Sequence, residues 1–143
     1  NTLQEGEVFF GDKRIKIAYK NPQKLTIILS AKKGIYVNHE LKESEFFFTN
    51  KSYIKIFFDI FHKKNHIKNM AIKHSDNQIE ISEKIQIEKD LFKIKLIYEN
   101  GPIKLRRLEI TGDAENIRMG FFDHSIENNF DKNFFSMIDP YLN

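Results

Sequence analysis

The run "LFKIKLIYENGPIKLRRLEITG", residues 91–112, limits what this chain can fold into more than any other stretch. Phe92, Ile94, Leu96 and Tyr98 recur at every second position, the period that puts side chains on one face of a strand. Asn100-Gly101 follows, the dipeptide best suited to the positive φ angles of a hairpin turn. The returning run carries Ile103 and Leu105, then Leu108 and Ile110, so its apolar phase slips by one residue at Arg106-Arg107. A slip of that kind predicts a β-bulge, which bends a sheet. The chain therefore builds antiparallel sheet from local hairpins.

The same grammar extends in both directions. "RIKIAYK" places Ile15, Ile17 and Tyr19 on one face, and Asn21-Pro22 marks a turn into "KLTIILS" with Ile27 and Leu29. "IYVN" contributes Tyr36, and "ESEFFF" puts Phe46 and Phe48 on one face with Phe47 on the other. Later, "MAIKHSD", "QIEISEKIQIE" and "NIRMGFFDHSI" read as further strands. Successive short strands joined by turn signals predict an antiparallel meander, open or curled toward a barrel. No repeat, linker or low-complexity tail divides the chain, so residues 1–143 read as one domain.

One helix interrupts the strands. Residues 51–62 follow candidate N-caps at Thr49, Asn50 and Ser52, and Ile54, Phe57, Phe58 and Phe61 form a stripe at i, i+3, i+4 and i+7. Tyr53, Ile56 and Ile60 widen the apolar surface, leaving Ser52, Lys55, Asp59 and His62 for water. Residues 46–61 hold seven aromatic residues, where the whole chain has 14 Phe and 5 Tyr. Such a helix has apolar surface for two neighbours: either two protein elements, or a sheet and an apolar ligand.

Composition removes several classes of function. Cysteine is absent, which excludes disulfides, thiolate metal sites and cysteine nucleophiles. The pI near 9.0 accompanies a net charge of only +3, with lysines dispersed among carboxylates. The nearest basic cluster, Lys104 to Arg107, is a single strand segment, so no nucleic-acid partner is expected. The apolar runs are broken by Lys55 and Asp59, short of the ~20 residues of a spanning helix. His62 and His66 have a metal-compatible spacing, yet two lysines separate them and no third ligand is near, which reads as a solvated helix end. His39, His74 and His124 fall in turns or polar segments without an assigned role. Glu43 and Glu45 lie on one strand face without a second, differently placed carboxylate. The chain contains no nucleophile elbow, phosphate loop or dinucleotide turn. It reads as a protein without enzymatic activity or cofactor.

The order of elements resembles the LolA family, the periplasmic carriers of outer-membrane lipoproteins. The likeness lies in "GEVFF", "KRIKIAYKNPQKLTIILSAKKGIYVNHELKES" and "GPIKLRRLEITGDAENIRMGFFDHSIENNFDKNFFSMIDP", and it runs from Gly6 to Pro140. The resemblance implies a strongly curved antiparallel sheet, an incomplete barrel closed by a helical lid. Lipid-binding cavity positions would be Ile15, Ile17, Tyr19, Ile27, Leu29, Tyr36, Phe46, Phe48, Ile94 and Leu96. Ile54, Phe57, Phe58 and Phe61 would belong to the lid. Its partners would be lipoprotein acyl chains, an inner-membrane lipoprotein-releasing transporter and an outer-membrane acceptor. The protein would be a periplasmic monomer that meets membranes only transiently.

Three departures accompany the likeness. The family's N-terminal helix and first strand are expected to be absent. "GDKR" replaces an Arg-Pro turn whose arginine fastens the lid, and Ser30-Ala31-Lys32 replaces a Ser-Asp-Gly turn, with the glycine at Gly34. Two other functions fit the residues: binding of another amphiphile such as a glycolipid or fatty acid, and an adaptor whose aromatic helix docks a protein partner.

Overall fold

A computed structural model describes residues 3–49, 53–62, 71–126 and 129–142. Its elements are β1 (Glu5–Phe10), β2 (Ile15–Asn21), β3 (Leu25–Leu29), β4 (Lys33–Asn38), β5 (Glu43–Phe48), α1 (Tyr53–His62), β6 (Ala71–Ser75), β7 (Gln78–Ile87), β8 (Asp90–Glu99), β9 (Lys104–Thr111) and β10 (Asn116–Gly120). Every segment with period-two alternation is a strand, and the one segment with a 3.6 period is the helix.

The strands do not make an incomplete barrel under a helical lid, and this corrects the expected architecture. They form two five-stranded antiparallel meanders, β1-β2-β3-β4-β5 and β10-β9-β8-β7-β6, with no closed barrel among the described residues. Hairpin turns fix the pairing inside each half, because each strand pairs with its neighbour in sequence. Between β5 and β6 the chain has α1, so no local hairpin signal joins those strands. Contacts divide the chain into two compact units, residues 1–62 with 128–143, and residues 63–127.

In the first unit, cross-strand register sorts side chains cleanly. One face carries the rows Phe10–Ile15–Leu29–Gly34–Phe47, Val8–Ile17–Ile27–Tyr36–Glu45 and Gly6–Tyr19–Leu25–Asn38–Glu43. The other carries Phe9–Lys16–Ile28–Ile35–Phe46 and Glu7–Ala18–Thr26–Val37–Ser44. Ile15, Leu29 and Ile35 are fully buried, each contributing about 1.5–3 kcal/mol of transfer free energy. Gly34 makes room in its row: a Cβ there would stand 2.5 Å from the ring of Phe47, which lies across the gap and would have to shift.

The second face is covered by residues 129–142, which have no regular structure. Met137 and Tyr141 pack on Ile28, Ile35 and Val37. Phe134 meets Phe9 edge-on at 4.9 Å, and Phe130 stacks on Phe134 at 4.9 Å. Arg14 Nη1 donates to the Phe135 carbonyl at 2.8 Å, and Ser44 Oγ donates to Asp139 at 2.8 Å. An irregular segment can hold a sheet face in this way because turn bonds such as Phe134 N–H to the Asp131 carbonyl, together with side chains such as Arg14 and Lys16, serve polar groups that no ladder reaches.

The second unit is a sheet with two unlike faces. Phe92, Ile94 and Leu96 on β8 align with Ile85, Glu83 and Ile81 on β7, while Ile94 and Leu96 also align with Ile110 and Leu108 on β9. Ile117 and Met119 continue the apolar face onto β10, and Ile72 continues it onto β6. The opposite face is charged, the alternation of an antiparallel sheet that meets water on one side. The bulge predicted at Arg106-Arg107 is present: Ile97 pairs with Arg107 and Tyr98 with Leu105, so Arg106 is the unmatched residue. The hairpin at Asn100-Gly101 is also present, but wider than two residues. Glu99 pairs with Lys104, and only Gly101 of that loop has positive φ, at 124°.

Candidate functional site

The residues expected to contact a lipid fall into three groups. Ile15, Ile17, Tyr19, Ile27, Leu29 and Tyr36 share one face of the first sheet, as their alternation requires. Phe46 and Phe48 do not join them. Gly34 pairs with Phe47 and Ile35 with Phe46, so Phe47 points to that face while Phe46 and Phe48 lie on the other, 56% and 82% exposed. The sequence could place Phe46 and Phe48 together but not choose their face, since a shift of one residue in pairing reverses a whole strand. Ile94 and Leu96 are buried on the apolar face of the second sheet and belong to the second unit.

Helix α1 belongs to the first unit, and its two ends meet residues of β1 and β2 and the turn between them. At one end, burial raises the Tyr19 hydroxyl pKa above its usual value, and the neighbouring Tyr53 adds to the effect. At the other end, Phe61 meets Phe10 with ring centroids 4.5 Å apart, and His62 Nε2 donates to the Gly11 carbonyl at 3.1 Å. Ile56, Phe57 and Phe58 are buried, while Ile54 is half-buried. Lys55 and Asp59 pair at 3.1 Å, and the face expected to meet water is largely covered there, with their side chains 29% and 17% exposed. The helix is thus a packed element of its unit rather than a cover over a barrel mouth.

One expectation about its ends changes. Thr49 is fully buried and its hydroxyl donates to the Ala31 carbonyl at 3.1 Å, closing the end of the β4–β5 pair. Asn50, Ser52 and His66 lie outside the described residues. His62 is not a solvated helix end. Its ring stacks on Phe58 at 4.4 Å, and its buried Nδ1 has no hydrogen-bond partner among the described residues.

The polar groups of the first unit have structural roles that sequence reading missed. His39 bridges Thr26 Oγ1 and the Tyr141 hydroxyl, both at 2.7 Å, tying the closing segment to β3. Its pKa is pushed below the usual value, chiefly by burial and further by Lys24 and Lys16. Lys16 Nζ donates to the Phe134 carbonyl at 3.3 Å and stands 3.9 Å from the centre of that ring; burial lowers its pKa. The clue available in sequence was the density of rings in "NFDKNFF", which needs a surface to cover. A shallow recess of about 430 Å³ at the β4–β5 turn is lined by Tyr36, Leu41, Glu43, Glu45, Asp139 and Tyr141. Its carboxylates make it a poor place for an acyl chain.

The apolar face of the second sheet offers a better one. Its centre is buried: Phe92, Ile94, Leu96, Leu108 and Ile110 are at most 8% exposed. Its β6–β7 margin is more open, with Ile79, Ile81 and Ile85 half-buried and Ile72 54% exposed. The polar side chains that alternation assigns to this margin are Glu83 and His74. Among the described residues of this unit no helix lies on the sheet. No group of three or more potential metal ligands occurs among the described residues. The chain matches no protein-family model, and no curated protein sequence matches it.

Proposed function

We propose that this chain binds acyl chains and serves as a carrier of lipoprotein lipid moieties. The observation that supports it is the aliphatic face of the second sheet, which grades from a buried centre at Ile94 and Leu108 to an accessible margin at Ile72, Ile79, Ile81 and Ile85. An acyl chain laid on that margin replaces water against branched aliphatic side chains. Burying about a dozen methylenes at ~0.8 kcal/mol each gives roughly 10 kcal/mol before ordering costs. That is ample for binding and small enough for release. Transfer through the periplasm, from an inner-membrane transporter to an outer-membrane acceptor, belongs to the same proposal and rests on the resemblance of element order. The adaptor alternative fits less well, because Ile56, Phe57 and Phe58 of α1 are buried and Phe61 is taken by Phe10.

The test is displacement of an environment-sensitive apolar dye by a triacylated lipopeptide, with a lyso-lipid and a free fatty acid in parallel. Saturable dye binding, displaced most effectively by the lipopeptide, is the expected result. Preference for the fatty acid would move the reading to another amphiphile. Absence of dye binding would end it.

A further inference from the structure

The charged face of the second sheet carries cations that the fold does not neutralise. Its carboxylates are engaged: Glu80 with Lys95 at 3.7 Å, Glu109 with Arg118 at 2.7 Å, and Glu99 with Arg106 at 2.6 Å. Lys84 and Lys93, by contrast, stand directly opposite each other on β7 and β8, both exposed. Arg107, on the same face of β9 opposite Ile97, is exposed too. None of these three has an ion-pair partner among the described residues. Like charges directly across an antiparallel pair destabilise it, and an external anion would relieve that repulsion.

We infer that this face docks on an anionic lipid surface, with Lys84 and Lys93 against phosphate headgroups. Apolar residues select the partner. Leu91 is 45% exposed on the same face as Lys93, two positions away, and Ile97 lies on that face beyond Lys95. Cations beside an exposed leucine suit a membrane interface, where the charges meet headgroups and the leucine meets the acyl boundary. A single-stranded nucleic acid would need rings to stack its bases, and alternation places no aromatic residue on this face. The inference rests on the charge map of the second sheet and stands apart from acyl-chain binding on the opposite face.

Flotation of the full chain with vesicles tests it, using phosphatidylcholine alone or with roughly one-third phosphatidylglycerol. Binding is expected only to the anionic vesicles, and is expected to be lost near 1 M salt, where screening acts over about 3 Å. Removing one lysine should weaken it about fivefold, and Lys84→Gln with Lys93→Gln roughly twenty-fivefold. The double variant relieves a repulsion, so it should fold at least as well as the parent. Its dye binding should be unchanged, which separates this result from the carrier test. Equal binding to neutral vesicles, undiminished binding by the double variant, or retention on a single-stranded oligonucleotide in preference to vesicles would each overturn the inference.

Discussion

His39 shows how one residue can join distant parts of a chain. Its two ring nitrogens reach Thr26 on β3 and Tyr141 in the closing segment, partners 13 and 102 positions away. Burial, and then Lys24 and Lys16, hold its pKa below the ordinary value of 6.5. The folded state therefore resists protonation more than the unfolded chain does. The corresponding stability is present above pH 6.5 and is lost as pH falls through the depressed folded-state value. The urea midpoint of the first unit should drop between pH 7.5 and pH 5 by more than in His39→Gln, which lacks the titration. Identical pH profiles for the two proteins would show that His39 is not the group responsible. Nothing near His39 in sequence announced this role, because both partners are remote. The same holds for Arg14, which serves the Phe135 carbonyl 121 positions away.

At the scale of elements, the sequence was legible wherever a signal was local. Strand positions follow from alternation, the hairpin from Asn100-Gly101, and the bulge from the phase slip at Arg106-Arg107. The choice of face on β5 was not legible, because Phe46, Phe47 and Phe48 are equally apolar and only pairing with β4 distinguishes them. Nor was the division into two sheets, since no hairpin signal tells whether β5 and β6 pair across an intervening helix. Residues 129–142 were the least legible element: they have no periodicity, yet they cover a whole sheet face. Phe134 holds that segment through Phe9, Phe130, Phe135 and the Lys16 ammonium. Phe134→Ala, at a half-buried site, should cost about 1–3 kcal/mol. Amide exchange should accelerate across 129–142 and in β1, with the second unit unaffected. Unchanged exchange in β1 would mean that the ring cluster does not stabilise that edge.

At the scale of the whole molecule, two units mean two independent opportunities for a ligand to act. A ligand that binds only the native state stabilises it by about 2.7 kcal/mol at a hundredfold excess over Kd. If acyl chains lie on the β6–β7 margin, that free energy belongs to the second unit. A saturating lipopeptide should then raise the melting transition of residues 63–127 by roughly 10–20 °C. Ile72→Glu is the informative change, since the position is 54% exposed and tolerates a charge in the free protein with little loss of stability. The same carboxylate would have to lie against hydrocarbon in the complex, where an unpaired charge is strongly disfavoured. The variant should therefore melt like the parent without lipopeptide and lose most of the ligand-induced shift. A shift that survives Ile72→Glu would place the acyl chain elsewhere, and one confined to the first unit would favour the face of Ile17, Ile27 and Tyr36. The comparison works because the position is accessible in one state and covered in the other, so its effect reports occupancy rather than folding.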